Sequence, residues 1–164
     1  MRPDILAQDD SIANDVYIYT IDRLNIEFKE SYKEFVILQP TSPLRNSKDI
    51  DNAVKLFHEK RADSVISCTE LAHPPLWALT LDKNNEVKPY FETDALELNR
   101  QDIIPAFIPN GAITVLNYAI FKASRSFFSK NTFGYQMPSD RSVDIDTLQD
   151  FQYAEMFTNK ICTI

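Results

Sequence analysis

Apolar residues recur first at Tyr17, Ile21, Leu24 and Phe28, spaced by four, three and four positions. That spacing lines one face of a helix and predicts this element over about 11–32. The run 35–38 is short, apolar and bounded by charge, which suits a strand buried on both faces that the Pro40 and Pro43 turn must end. Ser47 can cap a second helix, with Asp49 and Asp51 near its positive end and Ile50, Ala53, Val54 and Phe57 facing inward, ending near Arg61. The run 63–69 reads as the next strand, so the strand, helix and strand form a right-handed parallel unit if both strands share a sheet. Segments 77–81 and 87–91 flank the turn-prone 83–86 and predict a hairpin. A further strand is expected over about 112–116, a short helix near 118–123, and a final helix over 147–160 carrying Leu148, Phe151, Ala154 and Phe157.

The 164 residues are enough for one domain spanning 1–164, since a chain of this size buries about two-thirds of its unfolded surface. No apolar run approaches the roughly 18 residues that cross a bilayer, and the start MRPDILAQDD turns acidic at once, unlike a secretory or transit leader. These features exclude a membrane protein and point to the cytoplasm. Cys68 and Cys162 offer neither a disulfide framework nor a zinc site. The formal charge of −7 opposes binding to nucleic acid, yet an acidic chain can hold an anionic small molecule through a bridging divalent cation. The two glycines, Gly111 and Gly134, cannot build a glycine-rich phosphate cradle.

Three short motifs carry candidate chemistry. In VDIDT, 143–147, Asp144 and Asp146 stand two apart, so in extended chain both carboxylates point to one side while Ile145 faces the core. Such a pair suits magnesium, which takes one or two carboxylates together with phosphate oxygens and water. The plainer account is that Asp146 caps the last helix, with Gln149 completing a capping box. LQPTSPLR, 38–45, holds the Gln39 amide and the Thr41 and Ser42 hydroxyls on a backbone stiffened by two prolines, either to orient a polyhydroxylated ligand or to make a rigid turn. Asn110 precedes Gly111, which offers a tight turn or a close backbone approach to a ligand.

In this order, with RPDILAQDD at 2–10 ahead of them, the motifs resemble the acylneuraminate cytidylyltransferase family, which activates sialic and related nonulosonic acids as CMP-sugars. The resemblance implies an α/β, Rossmann-like nucleotide-diphospho-sugar transferase fold with a mixed, mostly parallel sheet. It also implies a dimerisation hairpin arm over about 73–108 and a homodimer. The family's PARxGSK-type nucleotide segment does not occur here, so the chain is expected to be N-terminally incomplete relative to it. The substrates implied are CTP and a nonulosonic acid, with pyrophosphate released. The metal implied is Mg2+, or Mn2+ in its place, on Asp144 and Asp146. The resemblance assigns Gln39, Asn110 and Arg100 to the sugar acid, and Phe127 and Phe128 to an acyl pocket completed across the dimer. For Arg100 a plain surface arginine, and for the two phenylalanines ordinary core, are the competing accounts; Arg45 is expected to be structural. Thr114 stands where members often carry Tyr, and Trp77 where some carry a basic residue, which leaves the sugar open. His73 falls in an HPP stretch near the arm and is not expected to be a base; His58 reads as helix surface. A non-catalytic remnant that binds sugar or dimerises, or one part of a split enzyme, are the rival functions.

Overall fold

The computed structural model describes residues 3–8 and 11–161; Arg2, Asp9, Asp10 and Cys162 lie outside them. It contains a four-stranded mixed sheet in the order β1, β5, β2, β6 and a separate two-stranded hairpin, β3 with β4. The strands are β1 (Glu34–Ile37), β2 (Ser64–Glu70), β3 (Leu79–Leu81), β4 (Val87–Pro89), β5 (Phe107–Asn117) and β6 (Thr132–Gln136). The helices are α1 (Ala13–Phe28), α2 (Ser47–Lys60), α3 (Tyr118–Ser124) and α4 (Leu148–Ile161). β1, β2 and β6 run one way, and β5 slots antiparallel between β1 and β2, pairing Ile37 with Thr114 on one side and Ile66 with the same Thr114 on the other. The β1–α2–β2 unit thus exists as expected, but its strands flank a later arrival instead of touching.

The eleven-residue β5 is covered on both faces over 110–116, as its neighbour β2 is over 64–67. Its Ala112, Ile113 and Val115 pack with Val65 and Met137 against Ala53 and Phe57 of α2. Its Leu116 packs with Ile37 against Ile18 of α1 and Phe121 of α3. The expectation that 35–38 is buried on both faces is corrected. β1 pairs only with β5 among the described residues, and Val36 and Leu38 are 36% and 39% exposed. A short apolar run is compatible with either a central or an edge position, because periodicity reports composition and not neighbours.

Local chemistry sets the ends of the helices. α1 stops at Phe28, short of the expected 32, because Lys29 turns left-handed at φ 54°. The cap of α2 is Asn46 and not Ser47: its side chain accepts from the Asp49 amide while the Asp49 carboxylate accepts from the Asn46 amide. The α3 helix is tied to α1 by Asp22, whose carboxylate accepts from Lys122 Nζ and the Tyr118 hydroxyl at 2.7 and 2.6 Å. Lys122 first and Tyr118 second hold the Asp22 carboxyl below its ordinary value, and burial and Asp22 push the Tyr118 hydroxyl up.

The hairpin lies where it was expected, tightened by Asp82, whose carboxylate accepts from the amides of Asn84 and Glu86. Its base is anchored by Trp77 Nε1 donating to the Ala95 carbonyl at 2.9 Å. β6 was not anticipated; it sits against β2 closely enough that a Cβ on Gly134 would meet Cys68 Sγ at 3.2 Å. No helix among the described residues is long and apolar enough to cross a membrane.

Candidate active site

The carboxyl ends of β1 and β2 lead into the segments where α/β sheets hold ligands. After β1, the chain turns at Gln39 to Ser42, where the Ser42 amide donates to the Gln39 carbonyl at 3.3 Å. Arg45 locks this turn from beneath, its Nη1 donating to the carbonyls of Gln39 and Ser42 at 2.5 and 2.6 Å. It is structural, as expected. Ser42 is fully buried and its hydroxyl donates to the Asn110 carbonyl at 3.1 Å.

On β5 the ladder breaks opposite this turn. Ile66 pairs with Thr114 and Cys68 with Pro109, so residues 110–113 of β5 stand against Ser67 alone. Ser67 bridges the gap: its hydroxyl accepts from the Ile113 amide at 2.8 Å and donates to Asn110 Oδ1 at 2.5 Å. The bulge requires Gly111 at φ +70°. A Cβ there would lie 2.6 Å from Gln39 Oε1, 3.2 Å from Ser42 Oγ and 3.4 Å from Asp144 Oδ2. The three motifs therefore meet at one glycine. Gly111→Ala should cost about 1–2 kcal/mol for the left-handed backbone and must also displace Gln39. Urea unfolding of the variant checks this; an unchanged midpoint would show that the site tolerates a side chain at its centre.

The acidic segment, 142–145, lies outside helix and strand, with Asp144 and Asp146 exposed and Ile145 half-buried between them. The Ile145 amide donates to the Thr41 carbonyl at 2.8 Å, joining this segment to the β1 turn. The capping account of Asp146 is corrected. The box at the start of α4 is made by Thr147 and Asp150, the Asp150 carboxylate accepting from the Thr147 amide at 2.8 Å and its hydroxyl at 2.7 Å. These bonds, the hydroxyl's first, hold the Asp150 carboxyl below its ordinary value. Among the described residues, neither the Asp144 nor the Asp146 carboxylate has a hydrogen-bond donor or cation as partner. Two unengaged, exposed carboxylates two residues apart are a donor set that fits magnesium, with water and phosphate completing the shell.

The remaining candidates divide. Asn110 is only 4% exposed, and its amide is engaged by Ser67, the Ala112 amide, Ser142 and Met137. Arg100 pairs loosely with Glu70 at 3.6 Å and is exposed. It borders a hollow of about 410 Å³ that Met137, Pro138 and Ser139 also line, at the same end of the sheet as Asn110. Phe127 and Phe128 are not brought to this site within the chain. β5 is antiparallel, so α3 and the residues after it lie at the opposite end of the sheet from Gln39. Phe127 stacks on Phe121 at 5.6 Å and packs against Tyr17, as the core account held, whereas Phe128 is 62% exposed. His58 lies on the surface of α2, 3.1 Å from Glu34.

Residues missed from the sequence complete the frame. Arg141 grips the buried Asp49 carboxylate by Nη2 at 2.9 Å and Nε at 3.1 Å, and the Tyr135 hydroxyl adds a bond at 3.3 Å. Burial works to raise the Asp49 carboxyl, but Arg141, the Asn46 amide and Tyr135 outweigh it and hold it below its ordinary value. The only signal for this pair was an arginine shortly before VDIDT.

No family model matches the chain. Among curated proteins it is 37% identical over 123 residues to the N-acylneuraminate cytidylyltransferase of Streptococcus agalactiae serotype III (strain NEM316), covering 74% of this chain and 29% of that protein. It is 32% identical over 160 residues to the N-acylneuraminate cytidylyltransferase of Escherichia coli O18:K1:H7, covering 94% of this chain and 35% of that one. With the CMP-N,N'-diacetyllegionaminic acid synthase of Legionella pneumophila it shares 32% identity over 160 residues, 94% of this chain and 66% of the relative. The chain thus spans about a third of the first two relatives and somewhat under two-thirds of the third.

Proposed function

The chain belongs to the acylneuraminate cytidylyltransferase family, and from that premise we propose that it serves the transfer of CMP from CTP to a nonulosonic acid. The convergence of Gln39, Ser42 and Asp144 on Gly111 carries this reading, because it brings one group from each motif to the same point. In the proposed reaction the anomeric hydroxyl of the sugar acid attacks the α-phosphorus of CTP. A new P–O bond forms, the bond to the bridging oxygen breaks, pyrophosphate leaves, and the hydroxyl proton passes to solvent.

The chain's own groups would act by positioning and charge. Gln39 would orient sugar hydroxyls, and the Arg100 guanidinium would pair with the acid's carboxylate through two parallel hydrogen bonds. Asp144 and Asp146 would hold Mg2+ or Mn2+, which supplies neutralisation of phosphate charge. Detection of a CMP-sugar by phosphorus NMR after supplying CTP, magnesium and N-acetylneuraminate or a legionaminic acid tests the reading. Absence of product with every acid, in a sample completed by the rest of a relative's sequence, would refute it.

The second reading, a sugar-binding or dimerising part completed by a separate polypeptide, is favoured by one observation: the outer edge of β1, which pairs with no strand among the described residues. Both readings share the homodimer. The hairpin leaves Leu79, Leu81, Val87, Tyr90 and Phe91 exposed, and an isolated two-stranded hairpin is marginal in water, so a partner surface is expected to cover it. Phe128 would then serve the partner's pocket. Sedimentation velocity at high micromolar concentration should show a dimer; a monodisperse monomer would contradict this.

A further inference from the structure

We propose that the acidic segment is set in place by two struts rooted in the core, the Asp49–Arg141 ion pair and the Ser67–Asn110–Ser142 relay, which makes Asp49, Arg141 and Asn110 positioning residues for Asp144 and Asp146. The proposal rests on the reading of those two aspartates as the metal pair.

Residues 142–145 belong to no helix or strand, so nothing in a ladder fixes where the two carboxylates point. They are also like charges two positions apart, which left alone would splay. Two anchors precede them. Arg141 lies three residues before Asp144, and its fork to Asp49 fixes orientation as well as distance. Asp49 is 2% exposed and is itself held by the capping box of α2 and by Tyr135 of β6. The position of the acidic segment is thus referred to two core elements at once.

The second strut starts in the bulge. Ser67 donates to Asn110 Oδ1, Asn110 Nδ2 donates to Ser142 Oγ at 2.8 Å, and Ser142 donates to the Pro138 carbonyl at 2.8 Å. Asn110 Oδ1 also accepts from the Ala112 amide at 3.2 Å, and its second amide hydrogen faces Met137 Sδ at 3.5 Å. A side-chain amide has two donors and two acceptor sites, and all four are taken by protein. Asn110 has none left for a ligand; its role is to brace Ser142, two residues before Asp144.

The test uses the full chain with manganese(II) chloride as the probe, read by the free-ion signal in electron paramagnetic resonance, together with NMR amide exchange at Ile145. Arg141→Gln should weaken manganese binding about tenfold or more, as loss of outer-shell partners does. It should also speed Ile145 exchange while helical circular dichroism is kept. Arg141→Lys, which retains charge but not the fork, should fall between. Ser142→Ala cuts the second strut near the surface without threatening the core and should speed Ile145 exchange to a smaller degree. Asp146→Asn should abolish manganese binding with Ile145 exchange unchanged, which separates failure of the metal reading from failure of the struts. Faster Ile145 exchange in the strut variants of a chain that never binds manganese would support the struts and sink the metal pair. Folded Arg141→Gln and Ser142→Ala proteins with exchange at Ile145 as in the parent would overturn the proposal.

Discussion

Replacing Asp146 with alanine is expected to lower magnesium-dependent pyrophosphate release by about a hundred-fold or more, with circular dichroism and unfolding midpoint close to the parent's. The size follows from the charge the metal must offset: a cation at a transferring phosphoryl group stabilises the transition state by several kcal/mol, and one carboxylate cannot hold it with the same compensation. Preservation of the fold follows from the cap. Thr147 and Asp150 close the start of α4 without help from the Asp146 side chain, so the helix does not fray when it is removed. The two effects therefore separate cleanly, which they would not if Asp146 were the cap. Steady-state rates across a magnesium titration decide the matter; undiminished release at limiting magnesium would remove the aspartate from the metal site.

A polypeptide made of these 164 residues and nothing else is expected to bind CTP very weakly and to turn over far below the rate of about 1–10 per second ordinary for an enzyme. The reason lies at β1. Its outer edge has no neighbour among the described residues, and a groove of about 380 Å³ opens between α1 and β1, lined by Tyr17, Ile21, Val36, Leu38 and Pro40. Gln39 follows directly from this unsupported strand. With two glycines, the chain cannot build a glycine-rich cradle for a triphosphate, and the acidic pair would be left to hold it through the metal. Supplying a fragment that carries the remainder of a relative's sequence should raise turnover by orders of magnitude in a coupled pyrophosphate assay. An ordinary rate from the 164 residues by themselves would show that they contain a complete nucleotide site.

The parts of this site that could be read in advance are those whose chemistry is local. Prolines 40 and 43 announce a stiff turn wherever they occur, and the spacing of Asp144 and Asp146 dictates a common side in any extended chain. Gly111 was visible as a place of close approach, though what approaches it was not. What could not be read depended on partners far away along the chain. The saturation of Asn110 is decided by Ser67 and Ser142, and the place of Phe127 by Tyr17 and Phe121. The caps failed for a smaller reason: Asn46 and Ser47 are both good capping residues, as are Asp146 and Thr147, and choosing between neighbours needs backbone geometry. Whether 35–38 is edge or centre was never encoded in those four residues, because β5 decides it.

The late insertion of β5 between β1 and β2 also governs when the site can exist. By the time Ser64 pairs with anything, the chain has passed β1 and α2 with no ladder to close, since Ile37 must wait for Thr114 and Val65 for Val115. Each of those pairings closes a loop of many tens of residues before any reward is collected, the kind of topology that slows folding. The meeting of Gln39 with Gly111 is produced by that same closure. A nascent or partly unfolded chain therefore has no weakened version of the site. The acidic pair finds its place at the β1 turn only once the central strand has arrived, and whatever loosens β5 dismantles the chemistry and the core together.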